Sequence, residues 1–511
     1  MFGFALRGNC LVVLLLVLIA AGCATVPHDL PKESSVYVAD TGGTNYGRLA
    51  ADWAELHAGQ SGFYPLSQGM DALGARLRIA EQAEKTIDLQ YFLIKPDTAG
   101  RVVALSLLEA ADRGVRVRFL LDDIFTTAPD RTLLLLNEHP NIEVRLFNPI
   151  SRSGLHSLNF IGNFRQANRR MHNKSFTVDN CISIVGGRNI ADEYFQLMDT
   201  SVFADFDVVA FGPVATEISV SFDEFWNHAM AIPVEQLASN EIAGGLAEER
   251  ARIEEEARTI YQEVYGKALS SELMQELISG TRDFVAADAT VLYDDPEKLR
   301  NAVADEYKRL AAELDTLLQQ AENEVMFISP YYVPGKNGVE YVRSLVDKGV
   351  RTVVLTNSLA SNNHVPVHSG YARYRKRVIE AGVELNEARA NAGRALQAGE
   401  GPDVLTLHTK MILIDRRYLF VGSLNLDPRS IDINAEMGLL IDSEELTGAI
   451  AEAIERLLPE IAYRVRLDDK GRVRWHAVIA GETVIETNEP QAGTWLRFKA
   501  WFMKIAPESQ L

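Results

Sequence analysis

The sequence has few cysteines, no excess of basic residues and few long apolar runs. Its 511 residues include three cysteines, and 51 Lys plus Arg stand against 70 Asp plus Glu, a net charge of −19. So few cysteines exclude a small fold held together by disulfides. The acidic balance argues against unselective nucleic-acid binding, which needs a basic field. The remaining composition, 47% hydrophobic and 24% charged, is that of a globular protein of several domains and excludes a disordered chain.

One long apolar run stands near the N-terminus, at residues 11–21. It is shorter than the roughly 20 residues that a membrane-spanning helix needs. The basic Arg7 before it and the Ala-Ala-Gly sequence at residues 20–22 are typical of an export signal. Cys23 follows directly, which resembles the lipobox of bacterial lipoproteins and implies a lipid on this cysteine. Because Ala24 comes next, the resemblance also implies a location at the periplasmic face of the outer membrane.

The cysteines and the following residues fit this interpretation. Cys10 would leave with the signal of residues 1–22, and residues 23–46 are predicted to form a polar tether behind the lipidated Cys23. The third cysteine, Cys181, lies in an apolar stretch and is expected to be a buried thiol. The mature chain therefore has no cysteine pair for an internal disulfide.

The same motif occurs twice in the sequence. One copy reads HNKSFTVDNCISIVGGRN from His172, and the other reads HTKMILIDRRYLFVGSLN from His408. Five residues recur 236 positions apart: His172/His408, Lys174/Lys410, Asp179/Asp415, Gly186/Gly422 and Asn189/Asn425. Repetition of special residues at a constant offset indicates a tandem duplication.

Each repeat alternates helical patterns with short apolar strands, which predicts an α/β fold. We expect a first domain at residues 47–232, a charged helical connector at 233–280, a second domain at 281–463, and a C-terminal hairpin with an aromatic segment at 464–511. Two such domains packed on a pseudo-two-fold axis would bring the two motifs together.

The motifs supply nucleophiles and cations. Residues i and i+2 of a strand point to the same side, so each motif histidine would face the same way as the lysine two residues later. The uncharged donors Asn189, Asn425 and Ser423 accompany them, and Gly187 would let backbone N–H groups approach an oxyanion. Such a pocket suits a phosphate with one negative charge, and we expect neither a cofactor nor a metal.

Two histidines permit a divided mechanism. One neutral imidazole would attack phosphorus and form a phosphohistidine. The other, protonated, would donate a proton to the leaving oxygen and then deprotonate the incoming alcohol or water. The two roles need opposite protonation states at one pH, so the surroundings of the two imidazoles must differ.

The double HxKxxxxD pattern with its following GG/SxN resembles the phospholipase D superfamily. The segments GGRNIADEYF at residues 186–195 and FVGSLNLDPRSIDINAEMG at residues 420–438 resemble the bacterial cardiolipin synthase branch, and within it the C type. The resemblance implies two phospholipase D-like α/β sandwich domains and phosphatidyl transfer through a phosphohistidine. It implies phospholipids and a membrane surface as partners, and neither nucleic acid nor a required metal.

The resemblance also implies residue roles, with His172 as the nucleophile and His408 as the acid and base. The family's imidazoles are oriented by acids further along the chain. The matching residues are Asp205 and Glu436, 33 and 28 residues after their histidines, with Asp207 as a near-equal alternative to Asp205. The implied catalytic set is His172, Lys174, Asn189, His408, Lys410, Asn425, Asp205 and Glu436. The remaining motif positions are Asp179, Asp415, Gly187 and Ser423, and for the two aspartates a turn-stabilising role stays open.

Other interpretations stay open. With water as the acceptor the chain would be a phospholipase D that releases phosphatidic acid. An exported nuclease is disfavoured by the net charge, and a non-catalytic envelope scaffold by the intact motifs. The pairs Asp122-Asp123 and Asp294-Asp295 suggest a two-metal site, although no histidine pattern accompanies them.

Two further segments have two interpretations each. The residues of NNHVPVHSGYARYR would either line the acceptor side of the pocket or pack in the ordinary way; they are His364, His368, Tyr371 and Arg375. The C-terminal aromatics would form either an interfacial helix or part of a core; they are Trp495, Phe498, Trp501 and Phe502, with Arg497, Lys499 and Lys504 among them.

Overall fold

The structure is a computed structural model. It describes residues 26–28, 30–124, 126, 130–152, 164–198, 201–237, 246–269, 284–300, 308–393, 403–479 and 481–505. The predicted signal and the predicted lipidated Cys23 lie outside these residues, as do parts of the predicted tether and connector. No helix in the described ranges is both long and apolar enough to cross a bilayer.

The first half of the chain is built around one mixed sheet. Its elements are α1 (Asn45–Leu56), β1 (Ser61–Leu66), α2 (Gly69–Glu81), β2 (Thr86–Tyr91), α3 (Thr98–Asp112), β3 (Arg116–Asp122), α4 (Asp130–Asn137), β4 (Ile142–Phe147), α5 (Phe164–Ala167), β5 (Ser175–Val178), β6 (Ile182–Gly186), β7 (Ser201–Ala204), β8 (Asp207–Phe211), α6 (Pro213–Asn227), β9 (Ala231–Pro233) and α7 (Leu246–Leu269). The strand order is β9-β4-β3-β2-β5-β6-β8-β1, in which β2, β3 and β4 are parallel.

The second half repeats this topology. Its elements are β10 (Val285–Tyr293), α8 (Arg309–Leu318), β11 (Glu324–Ile328), α9 (Gly335–Asp347), β12 (Arg351–Asn357), α10 (Val365–Ala372), α11 (Arg375–Glu380), β13 (Glu384–Ala388), β14 (Val404–Leu407), β15 (Met411–Ile414), β16 (Tyr418–Gly422), α12 (Pro428–Asp432), β17 (Met437–Asp442), α13 (Glu444–Ile461), β18 (Ala462–Leu467), β19 (Val473–Ile479), β20 (Glu482–Glu486) and α14 (Thr494–Met503). The order β18-β13-β12-β11-β15-β16-β17-β10 matches the first sheet strand for strand, and β19 and β20 extend its edge. The predicted α/β tandem duplication is confirmed.

Local sequence fixes the ends of the repeated helices. The carboxylate of Asp97 accepts a hydrogen bond from the Gly100 backbone N–H at 3.1 Å and so caps the start of α3. Beyond the end of α3, Gly114 has a φ of +92°, and Gly349 has the same φ after α9. This left-handed conformation favours glycine, which explains why both helices stop there.

The two halves share a core. One cluster of buried apolar side chains joins Phe63 and Val208 of the first half to Met411 and Leu439 of the second. Strands β1 and β10 also pair across the halves, with Ser61 opposite Ala287. These contacts fix the position of one sheet relative to the other and so bring the two motifs together.

Candidate active site

The two motif histidines lie where the halves meet. His172 directly follows Met171, which forms a bridge with Ala435 of the second half. His408 directly follows β14, whose Leu407 pairs with Ala204 of the first half. Both histidines are buried, and backbone contacts between the halves therefore fix where both imidazoles lie.

Each imidazole contacts a carboxylate from the other half. The Nδ1 atom of His172 lies 2.8 Å from Oε2 of Glu436, and the Nδ1 atom of His408 lies 2.6 Å from Oδ2 of Asp205. In each ring we place the proton on Nδ1, which donates it to the carboxylate, and Nε2 is left as the reactive nitrogen.

The pairing follows from the two backbone contacts. The backbone N–H of His172 donates to the Ala435 carbonyl at 2.8 Å, so the next residue, Glu436, lies beside the imidazole. The backbone N–H of His408 donates in the same way to Ala204 at 2.7 Å, which brings in Asp205. The sequence-based pairing of each acid with the histidine of its own half is therefore wrong, because the segment that carries each acid pairs with the segment before the histidine of the other half.

The alternative acid Asp207 contacts neither histidine. Its carboxylate lies 2.8 Å from Arg76 and 3.3 Å from Arg188, and all three side chains are buried. The guanidinium of Arg188 also donates to the Asp205 carbonyl at 2.7 Å. Asp207 and Arg188 thus hold the segment that carries Asp205.

The motif lysines are buried beside their histidines. The ammonium of Lys174 donates to the His172 carbonyl at 2.6 Å and lies 5.5 Å from the centre of the Phe92 ring. The ammonium of Lys410 donates to the His408 carbonyl and lies 2.9 Å from its Nδ1 atom. Two cations therefore stand beside the two imidazoles, as an anionic phosphate would require.

Burial sets the protonation of this cluster. It lowers the pKa of His172 to about 4 and that of His408 to about 3, although the facing carboxylates act in the opposite direction. Burial alone would raise the pKa of Asp205, but the imidazole of His408 and the ammonium of Lys410 bring it below its ordinary value. Without a bound anion both imidazoles are thus neutral beside ionised carboxylates.

The lowered pKa values of the two motif lysines predict that activity falls as the solution becomes alkaline. Burial lowers the pKa of Lys174 to about 7 and that of Lys410 to about 8. As the pH rises through this window the ammonium groups lose their charge, so binding of an anionic phosphate weakens. We expect kcat/KM, which reports the free enzyme, to fall between pH 7 and 8. A profile that stays flat to pH 9 would contradict this expectation.

The remaining motif residues make the two halves unequal. A Cβ atom at Gly187 would lie 2.1 Å from Oδ1 of Asp205, so only glycine fits there. At the equivalent position the hydroxyl of Ser423 donates to Glu436. The amide of Asn189 donates to the Tyr194 hydroxyl at 2.8 Å, and Oδ1 of Asn425 is buried without a partner among the described residues.

Asp179 and Asp415 have the same structural role in both halves and contact neither histidine. The carboxylate of Asp179 accepts from three backbone N–H groups, those of residues 84, 85 and 86, at 3.1, 2.8 and 2.9 Å. Asp415 accepts from residues 322, 323 and 324 at 2.9, 2.7 and 2.9 Å. Both aspartates have φ near +50°. These contacts favour the turn-stabilising role that the sequence left open.

We expect Asp179→Ala to destabilise the fold by about 2–3 kcal/mol, because three backbone donors lose their acceptor. Urea unfolding measures this loss, and Asp52→Asn, at an exposed residue of α1, serves as a matched control. The kcat of the folded variant should stay near that of the wild type. A large loss of kcat with unchanged stability would instead indicate a catalytic role for Asp179.

The paired aspartates do not form a metal site. Asp122 lies 3.1 Å from Arg170 and Asp123 about 2.5 Å from Arg152. Lys298 lies 2.7 Å from Asp294, and Asp295 accepts from a backbone N–H at 2.9 Å. Across the described ranges no three His, Cys, Asp or Glu side chains lie close enough to hold a metal ion.

Three of the four residues before the second motif, His368, Tyr371 and Arg375, pack in the ordinary way. His364 is exposed, and its ring meets Tyr331 edge-on at 5.4 Å. The guanidinium of Arg375 lies 2.7 Å from Glu387 and 2.7 Å from Glu489, and the hydroxyl of Tyr371 donates to Glu387 at 2.7 Å. His368 is buried beside them. This network belongs to the core of the second half and contacts neither catalytic histidine.

Sequence reasoning missed the aromatic walls of the site. The Phe203 ring stacks on His408 with centroids 5.1 Å apart, and Tyr194 meets the same imidazole edge-on at 5.1 Å. Phe92 meets His172 edge-on at 4.8 Å. Tyr194 stands in the segment GGRNIADEYF five residues after Asn189, and no other sequence signal marked these rings.

Two repeated α/β units that join two His-x-Lys motifs in one pocket define the phospholipase D type of fold. A family model described as "Cardiolipin synthase, PLD-like domain" matches residues 77–226 and 314–458, and the chain belongs to this family. It is 39% identical over 459 residues to cardiolipin synthase C of Escherichia coli strain K12, a match that covers 88% of this chain and 96% of that protein. The family resemblance is confirmed.

Two further comparisons agree. An uncharacterized protein of Helicobacter pylori strain 26695 is 31% identical over 526 residues, covering 98% of this chain and 99% of that protein. The crystal structure of a phosphatidylserine synthase from Haemophilus influenzae Rd KW20 matches with a TM-score of 0.56 at 14% identity, covering 89% of this chain and 96% of that one. At that identity the second match supports the fold alone.

Proposed function

We propose that this chain transfers a phosphatidyl group from one phospholipid to the hydroxyl of another, in the manner of a cardiolipin synthase. The observation that carries the proposal is the pair of neutral imidazoles, each held by a carboxylate of the opposite half and each beside a lysine. The name of the relative from Escherichia coli supports the phospholipid substrate class.

In the first step Nε2 of His172 attacks the phosphorus atom and a P–N bond forms. The bond between phosphorus and the leaving oxygen breaks, and His408 gives that oxygen a proton. His408 carries this proton once the phosphodiester anion is bound, because a negative charge beside a buried imidazole raises the pKa of that imidazole. The facing carboxylates stabilise the positive charge that develops on each ring.

In the second step the acceptor hydroxyl gives its proton to His408. The acceptor oxygen forms a bond to phosphorus, and the P–N bond to His172 breaks. Both imidazoles regain their starting protonation, so the cycle balances without a cofactor. Lys174 and Lys410 neutralise the non-bridging phosphate oxygens throughout.

Product analysis tests this function. Purified enzyme supplied with phosphatidylglycerol is expected to yield cardiolipin, identified by mass spectrometry. Addition of excess EDTA should leave the rate unchanged, because the cycle uses no metal. Release of phosphatidic acid as the sole product would identify a phospholipase D instead, and nicking of plasmid DNA without any lipid product would identify a nuclease.

We further propose that the chain works at a membrane surface, anchored through a lipid on Cys23 at the periplasmic face of the outer membrane. Helix α14 supports a second contact with lipid. Helix α14 and the two residues after it expose five large apolar side chains: Trp495, Phe498, Trp501, Phe502 and Ile505. The basic Arg497, Lys499 and Lys504 lie among them, and α14 carries no acid although the whole chain has a net charge of −19.

The inner face of α14 is fixed to the protein. Ala500 is buried in a cluster with Leu359 and Val365, and its carbonyl accepts from the Ser369 hydroxyl at 2.8 Å. Aromatic side chains together with cations on one exposed face are typical of a helix that lies in the interface of an anionic bilayer. Of the two interpretations of the C-terminal aromatics, these exposed rings favour the interfacial one.

We expect Trp495→Ser with Trp501→Ser to weaken binding to anionic vesicles. In the wild type, vesicles that contain brominated phosphatidylglycerol should quench the fluorescence of these two exposed tryptophans. The double variant should lose that quenching, whereas Val478→Ser, which removes an exposed apolar side chain of β19, should retain it. Equal quenching in the wild type and the double variant would exclude insertion of α14.

A further inference from the structure

A cavity of about 680 Å³ lies in the second half, between α8, α9 and α12. Its walls are mostly apolar and include Leu314, Leu318, Val342, Leu424 and Ile431. Its volume falls within the roughly 300–1,000 Å³ that small-molecule pockets enclose. The mechanism described above makes no use of this space.

The cavity lies directly behind the second catalytic loop. Two of its lining residues, Leu424 and Leu426, flank the motif residue Asn425. The backbone N–H of Val333 donates to the Leu426 carbonyl at 2.8 Å, and Tyr332 forms a bridge with Leu426. The wall of the cavity and the phosphate pocket therefore share one loop.

The wall also carries polar side chains, among them Asp315, Lys336 and Asp432, and the buried hydroxyl of Tyr332. Tyr332 is 4% exposed, and its hydroxyl has no hydrogen-bond partner in the described part of the chain. A buried hydroxyl without a partner is costly, so the position favours a ligand that combines an apolar chain with a hydrogen-bond acceptor.

The first half fills the equivalent space. Asp179 binds the loop at Lys85, and Asp415 binds the equivalent loop at Asn323. Arg76 of α2 lies nine residues before Lys85, and Leu314 of α8 lies nine residues before Asn323, so these two residues are equivalent. The guanidinium of Arg76 lies 5.4 Å from the Phe195 ring centre, and both side chains are buried.

Phe195 in turn corresponds to Ile431, at the motif offset of 236 residues. Two large side chains of the first half are thus replaced by Leu314 and Ile431 in the second. These two smaller side chains leave more room in the second half than Arg76 and Phe195 leave in the first.

We propose that the cavity holds one acyl chain of the phospholipid, with the Tyr332 hydroxyl donating to its ester carbonyl. The inference rests on the proposed function, since it needs a phosphate of that lipid at the two histidines. An ester lies only a few bonds from the phosphate of a phospholipid, which fits a cavity that shares its wall with the motif loop. The second half would then select for a long acyl chain.

A photoreactive lipid tests the site without reference to turnover. Phosphatidylglycerol with a diazirine on its acyl chain, mixed with the full chain in detergent micelles and irradiated, should label peptides from residues 311–342 or 424–431. Leu314→Phe with Ile431→Phe, which places two larger side chains in the space, should lower this labelling about 10-fold. Val478→Phe, at an exposed residue of β19, should retain it.

Activity supplies a second readout. In the double variant, kcat/KM for a long-chain substrate relative to kcat/KM for a short-chain substrate should fall about 10-fold. A fall of this size corresponds to the loss of fewer than two buried methylene groups. An unchanged ratio, or labelling of other peptides while product still forms, would overturn the acyl site and leave the proposed function intact. Labelling at the cavity without any phosphatidyl product would support the acyl site and overturn the proposed function.

Discussion

Replacing His172 with alanine is expected to lower turnover by roughly 10⁴–10⁶-fold, because the variant lacks the atom that forms the covalent intermediate. Its neighbours Lys174 and Glu436 would remain in place, so phospholipid should still bind. The measurement is cardiolipin formation from phosphatidylglycerol under saturating substrate. His476→Ala, at a half-buried histidine of β19, is the matched control and should keep full activity.

The intermediate itself distinguishes the two histidines. Acid-free quenching of the wild type during turnover, followed by mass spectrometry of peptides, should find the phosphatidyl adduct on the peptide with His172. His408→Ala should lower turnover by about 10²–10⁴-fold, the contribution of a general acid and base. An adduct on His408 would reverse the assigned roles, and more than a tenth of wild-type activity in His172→Ala would contradict the mechanism.

Replacing either carboxylate with its amide should lower kcat by about 10²–10⁴-fold, since the amide no longer fixes the imidazole tautomer or stabilises its charge. Glu436→Gln and Asp205→Asn are the two variants, and Glu445→Gln, at an exposed residue of α13, is the control. KM should change much less than kcat, because the two carboxylates face imidazoles and the lysines remain to bind phosphate.

Histidine NMR separates positioning from general destabilisation. In ¹⁵N-histidine spectra Glu436→Gln should shift the resonances of His172 and leave those of His408 in place, and Asp205→Asn should do the reverse. This pattern follows from the contacts of 2.8 and 2.6 Å between opposite halves. If each acid served the histidine of its own half, the two patterns would be exchanged.

The chemistry of the site could be predicted because it is carried by local spacing. His172 and Lys174 stand two residues apart in both repeats, and alternation along an extended chain brings them to one side whatever the rest of the fold does. The duplication was equally visible, since a constant offset of 236 residues needs no structure to be counted. The α/β alternation and the helix stop at Gly114 follow from the same local physics.

The partner of each imidazole could not be predicted in this way. Glu436 reaches His172, and Asp205 reaches His408, through backbone contacts between residues more than 200 positions apart. Spacing along the chain suggested the nearer acid in both cases. The role of Asp179 was also undecided, because its three backbone donors lie more than 90 residues earlier.

The sequence by itself determined the reacting groups, their duplication and the α/β class of the fold, because each depends on residue identity and short spacing. Only the tertiary structure decided how these groups serve one another. The packing between the halves places each carboxylate beside the imidazole of the other half, and burial lowers the pKa of both imidazoles. Arg76 and Phe195 pack together in the first half, where the second half has smaller side chains and a cavity. All three depend on contacts between distant residues, which spacing along a single chain does not encode.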